Sequence, residues 1–163
     1  FFYTGEPLNY KRRGLAVALV FFLMGVFMVA GSYYAVTGWL APRVIVSSVP
    51  VSLLVSLILL ANEMRDYESD VRYGIGTLTV RIGYRAAVIL YCCLLASAYG
   101  GALLLAPLGV IAHGWLVLLA LPFAIPPFVF MPRPPRQRMP IIPFVMLHHL
   151  AFGALFCASY FIS

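Results

Sequence analysis

This chain has little charge. Asp, Glu, Lys and Arg make up 10% of its 163 residues, while 63% are hydrophobic. A soluble domain is nearer to about a quarter charged. A chain of this length cannot hide so much apolar surface from water, so its solvent is lipid. No short leader pattern accounts for the composition, because apolar segments recur along the whole length. Familiar catalytic signatures are missing as well: there is no Walker-type glycine loop, no Gly-x-Ser-x-Gly elbow and no zinc spacing. Cysteine is sparse. Cys92, Cys93 and Cys157 all sit inside apolar runs without metal-site spacing, and they read as small apolar helix residues. In a soluble protein the net charge of +6 would point to nucleic acid. Here it points to cytoplasmic loops and to anionic lipids or substrates, and no nucleic-acid partner is expected. The chain opens FFYTGEPL, without Met. That reads as a fragment or a processed start, with functional parts expected upstream.

What is present is a series of apolar runs. Crossing the hydrocarbon core takes roughly 20 apolar residues in a helix. Five segments approach this, at about 15–35, 44–61, 86–106, 115–131 and 141–162. Pro50 lies inside the second. The fourth is the weakest, interrupted by Pro122, Pro126 and Pro127, and Pro143 falls in the first turn of the fifth, where proline is tolerated. The expected fold is all-α: a polytopic membrane helix bundle with five transmembrane helices, forming a single membrane domain over 1–163. Of the 11 Lys and Arg residues, all but Arg43 fall in the start, in the loop after the second span or in the loop before the fifth. That asymmetry places those three segments in the cytoplasm and the C-terminus outside. The expected location is a bacterial or archaeal inner (plasma) membrane.

Negative charge is concentrated at one point. Glu63, Asp66, Glu68 and Asp70 are four of the five acids in the chain, gathered in ANEMRDYESDVRYG just after the second run. Asn62, Asp66 and Asp70 are spaced by four, so on a continuing helix they form one stripe that drifts by about 40° per step. Asp and Asn oxygens are hard ligands suited to Mg²⁺, which completes its shell with waters and phosphate oxygens. Arg65, Arg72 and Arg81 could clamp the remaining phosphate oxygens. Two other readings stand beside this one: a solvated helix end, and an ion pathway, which would place ionisable groups deeper in a span. Glu63 and Glu68 fall off the stripe and are expected to be solvated or paired with arginine. Adjacent His148 and His149 cannot both face one ligand and are expected to pack inside the bundle. MPRPPRQRMP reads as a stiff basic topology anchor. Lys11, Arg12 and Arg13 form another anchor, or help to hold an anionic substrate.

The segment NEMRDYESDVRYGIGTLTVRIG resembles the second aspartate-rich motif of the UbiA-type intramembrane prenyltransferase superfamily, through Asn62, Asp66 and Asp70 and then Thr77, Leu78, Val80, Arg81 and Gly83. YTGEPLNYKRRGL and GSYYAVTG are similar to the menaquinone branch, the 1,4-dihydroxy-2-naphthoate polyprenyltransferases. That branch usually carries a Lys-Arg-Thr-like run where this chain has Ile75, Gly76 and Thr77, and often an acid where it has Ala16 and Val17. The resemblance implies a nine-helix fold of which these five spans are the later part. It also implies missing N-terminal helices that carry a first aspartate-rich motif, so this segment alone is expected to be inactive. The implied activity is Mg²⁺-dependent transfer of a polyprenyl group from its diphosphate to an aromatic acceptor. On that reading Asp66 and Asp70 are the catalytic Mg²⁺–diphosphate ligands with Asn62 in support. Arg65, Arg72, Arg81 and Lys11 are diphosphate contacts, and Tyr67 packs. Alternatives are other acceptors (4-hydroxybenzoate, haem, chlorophyll or glycerol phosphate) and a non-enzymatic transporter or scaffold. The Asp-x-x-Asp-Gly-x-x-Ala-Arg run of CDP-alcohol phosphotransferases is absent.

Overall fold

A computed structural model of the chain describes residues 10–161, and among these residues it is all-helical. The first run forms α1, Ala16–Thr37, with a wider π-type turn at Phe21–Val26. The second forms α2, Pro42–Arg65. Two short helices follow, α3 at Tyr67–Arg72 and α4 at Leu78–Ile82, and then the long α5 at Tyr84–Leu105. After it come the apolar stretch α6, Gly114–Phe130, and finally α7, Ile141–Ala158. Four helices among the described residues are long and apolar enough to cross a membrane. The chain is an integral membrane protein.

The expected fourth span takes a broken form. Its 115–131 stretch overlaps α6, which is shorter than the other four and is built of separate helical pieces. A 3-10 turn at Gly114–Ala120 leads to α-helical pieces at Leu121–Ala124 and Pro126–Phe130. Proline explains the breaks: it lacks the N–H needed for the i→i−4 bond, and its ring disfavours a helical residue before it. Pro122 sits in the first turn of one piece, and Pro126 and Pro127 open the next. The expected end of the fifth span at Ile162, and residues 3–9 of the N-terminal resemblance, lie outside the described residues.

Helix α2 is the axis of the bundle and packs against α1, α5 and α7. Leu54, Leu57, Leu60, Ala61 and Met64 are all buried on it. Small residues let α1 come close. Ser48, Ser52 and Ser56 recur every four residues on α2 and are buried, and a Cβ on Gly25 would collide with the Ser52 side chain. Without a hydrophobic driving force between helices in lipid, such small-residue seams and cross-helix hydrogen bonds hold spans together. Here Ser56 Oγ donates to the Val17 carbonyl at 3.2 Å. The large apolar side chains that remain exposed, such as Phe27, Ile89 and Leu150, suit contact with lipid. As expected, His148 is interior: its Nε2 is 2.8 Å from the Tyr99 hydroxyl, and Phe152 packs beside both rings.

At 24 residues, α2 is about 36 Å long by its rise per residue. The hydrocarbon core is about 30 Å thick. Its last turn, which carries Asn62 and Arg65, is therefore long enough to stand at the membrane surface.

Candidate functional site

The acidic motif spans the end of α2 and the start of α3. The continuous helix expected from the spacing is interrupted: Asp66 ends α2 and precedes α3, with φ −92° and ψ 4°. The register survives the interruption. The Asp66 amide donates to the Asn62 carbonyl at 3.1 Å, and the Asp70 amide donates to the Asp66 carbonyl at 2.8 Å. Residues 62, 66 and 70 remain linked one turn apart along the backbone.

The two aspartates differ in environment. Asp66 keeps 44% of its side chain exposed and takes a two-pronged bond from its neighbour, Arg65 Nε to Oδ1 at 2.7 Å and Nη2 to Oδ2 at 2.6 Å. Asp70 is only 5% exposed, and its side chain receives one long bond from the Thr77 hydroxyl, at 3.4 Å. Burial pushes the Asp70 carboxyl above the usual carboxylate range. The Lys11 ammonium and Thr77 pull it back down, and the charge of Asp66 adds to the push. A buried carboxylate with so few partners is one that an added positive charge would stabilise.

Lys11 reaches this region because residues 10–14 are pinned to the segment after α3. Arg81 Nε donates to the Gly76 carbonyl at 3.0 Å and Nη2 to the Arg12 carbonyl at 2.9 Å. Both glycines at this crossing are needed for space. A Cβ on Gly76 would lie 2.7 Å from the Arg12 carbonyl oxygen, and one on Gly14 would lie 2.7 Å from Arg81 Cδ, with Gly14 already at φ 72°. Any side chain at position 76 would have to displace the Arg12 carbonyl. Arg81, expected as a diphosphate contact, places Nε and Nη2 on backbone carbonyls. Arg72 is exposed on α3.

Glu63 departs from expectation. It is neither solvated nor paired with arginine. It is 4% exposed, and its Oε2 accepts the Thr79 amide at 3.0 Å, capping the first turn of α4. Its Oε1 has no hydrogen-bond partner among the described residues. The reason is that α4 packs on the last turn of α2 and presents unsatisfied N-terminal amides there. Glu68 does pair with arginine: Arg138 Nη1 lies 2.8 Å from both of its oxygens. Tyr67 packs against Tyr84, with ring centroids 5.5 Å apart.

Asn62 turns its amide nitrogen to the Ile58 carbonyl at 3.0 Å. It also lines a cleft of about 770 Å³ between α1 and α2, with Tyr10 at the same end and Leu19, Leu23, Val55 and Leu59 along its walls. Polar motif and apolar cleft thus meet at Asn62. For a divalent metal the site offers two carboxylates and one amide oxygen, hard donors of the kind Mg²⁺ takes when phosphate and water complete its shell. Among the described residues no three His, Cys, Asp or Glu side chains gather as a self-sufficient metal cage.

The UbiA prenyltransferase family model matches residues 1–151. This chain belongs to that family. It is 32% identical over 93% of its length to a 1,4-dihydroxy-2-naphthoate octaprenyltransferase of Haemophilus influenzae, covering 49% of that protein. It is 32% identical over 92% of its length to the Escherichia coli protein of the same description, covering 47% of it. The human UbiA prenyltransferase domain-containing protein 1 is 32% identical over 80% of the chain, which covers 36% of that relative. The chain therefore spans about half the length of the bacterial relatives it matches. No solved structure matches it.

Proposed function

We propose that the complete protein containing this chain transfers a polyprenyl group from polyprenyl diphosphate to an aromatic acceptor, with 1,4-dihydroxy-2-naphthoate the leading candidate and menaquinone biosynthesis the setting. One observation carries the reading: an acidic, oxygen-rich motif meets the polar end of a long apolar cleft at Asn62. A ligand with a diphosphate head and an isoprenoid tail has that same division.

In this reading Asp66 and Asp70, supported by Asn62, hold Mg²⁺ against the diphosphate. When bound, Mg²⁺ supplies the positive charge that stabilises the leaving diphosphate. Lys11 and Arg72 add positive charge at the same end, and Arg65 orients Asp66. Arg81 acts mainly by holding residues 10–14 beside Asp70. The walls of α1 and α2 take the isoprenoid chain and exclude water, which would otherwise capture the allylic cation before the electron-rich ring attacks it. The first aspartate-rich motif comes from helices outside this segment. In this reading the acidic end faces the cytoplasm of a bacterial or archaeal inner membrane, which the Arg and Lys asymmetry supports.

The test is incubation of membranes carrying the full-length protein with polyprenyl diphosphate, Mg²⁺ and a panel of acceptors, read by mass spectrometry. The expected product is the prenylated, decarboxylated naphthoate. Prenylation of a different acceptor moves the protein to another branch, and no prenylated product with any acceptor sinks the reading.

A further inference from the structure

Arg138 is the only buried lysine or arginine among the described residues, at 8% exposure, whereas its loop neighbours Arg133 and Arg136 are exposed. A topology anchor at the headgroups accounts for exposed cations and not for this one. Its guanidinium joins four segments. Nε donates to the Arg133 carbonyl at 2.7 Å within its own loop. Nη1 meets both oxygens of Glu68 on α3 at 2.8 Å and reaches the Met64 carbonyl in the last turn of α2 at 3.5 Å. Its Cζ lies 4.3 Å above the ring of Tyr84, the first residue of α5, and the Tyr84 hydroxyl in turn donates to the Met131 carbonyl at 2.6 Å.

Glu68 stands two residues from Asp66 and two from Asp70. At about 100° per residue, Asp70 lies about 200° round α3 from Glu68, and Asp66 immediately precedes the helix. A grip on Glu68 therefore holds the face of α3 opposite Asp70 and fixes the helix start next to Asp66. With the Glu68 side chain 40% exposed the pair is only partly buried and adds little net stability, so its evident effect is on the geometry of the segments it joins.

We propose that Arg138 is a positioning residue for the acidic motif: by clamping Glu68 against α2 and α5, it fixes the direction in which Asp66 and Asp70 face the metal–diphosphate group. The clamp rests on the proposed prenyltransferase reading for its purpose, though not for its geometry.

The experiment uses the full-length protein with Arg138→Gln, Arg138→Lys, Glu68→Gln and the Arg138→Gln/Glu68→Gln double variant. The Glu68 side chain is 40% exposed and that of Arg138 9%, so the Glu68 variant tests the clamp with the smaller disturbance to packing. The Mg²⁺ concentration for half-maximal prenyl transfer is expected to rise about 10- to 100-fold in the Gln variants, the usual penalty for losing a group that orients metal ligands. Arg138→Lys should recover part of the loss, and the double variant should be no worse than Arg138→Gln alone. A spin label on Ser69→Cys, with the three native cysteines replaced, gives a readout independent of turnover. Its mobility should rise in both Gln variants. Unchanged label mobility, wild-type Mg²⁺ dependence, or a double-variant loss equal to the product of the single losses would each overturn the proposal. If the wild-type protein transfers no prenyl group, the function reading fails while the label still decides the clamp.

Discussion

The two ends of the bundle are held together in different ways. At the acidic end, side chains reach across the chain: Glu63 to Thr79 over 16 residues, Tyr84 to Met131 over 47, Arg81 to Arg12 over 69 and Arg138 to Glu68 over 70. At the opposite end long-range links are fewer among the described residues: the Ala112 amide donates to the Ser159 carbonyl at 3.2 Å and Tyr160 bonds to Ser47, while other side-chain bonds there are local. Thr37 donates to the carbonyls of Tyr33 and Trp39, four and two residues away, and Ser47 donates to that of Arg43, four away. Local bonds finish helices, whereas long-range bonds hold separate segments in one arrangement. A site that stabilises developing charge needs its groups fixed before the reaction, and among the described residues the acidic end carries the denser set of such cross-chain bonds.

The largest expected break in this comparison comes from Asp66→Asn or Asp70→Asn in the complete protein. Prenyl transfer should fall by at least about 10²- to 10³-fold, as when a preorganised electrostatic group is removed, while membrane insertion, followed by fractionation and protease protection, is unchanged. Glu63→Ala comes next. It strips the cap from α4 and strands the Thr79 amide, and thermal unfolding in detergent should report a loss of about 1–3 kcal/mol. Glu63→Gln should recover much of this, because its amide oxygen can still accept that bond. A smaller effect is expected from Gly76→Ala. The added methyl must displace the Arg12 carbonyl 2.7 Å away, so donor KM should rise several-fold as residues 10–14 and Lys11 are pushed from Asp70, with kcat less affected. The smallest belongs to the other end. Arg43→Gln should leave donor KM and kcat within about twofold, and a large loss there would erase the distinction between the two ends.

The same contrast governs what could be read from sequence. Four spans were legible because each is a long apolar run with at most one proline, and the motif spacing was legible because i, i+4, i+8 is a local pattern. Pro122, Pro126 and Pro127 marked the fourth run as the weakest, and there the helix breaks into pieces. The helix interruption at Asp66 left no sequence mark. The contacts that Glu63, Arg81 and Arg138 make across the fold were not legible because their partners lie 16, 69 and 70 residues away. One signal was available for the basic loop: Arg138 is the arginine nearest α7, where a side chain can turn inward over the helix ends.

The most direct test of the central claim is binding rather than turnover. Polyprenyl diphosphate would be titrated into the complete protein by calorimetry with and without Mg²⁺, for the wild type, Asp66→Asn and Asp70→Asn. The account predicts that tight binding requires Mg²⁺ and is lost in both variants. Equal Mg²⁺-dependent affinity in all three proteins would contradict it.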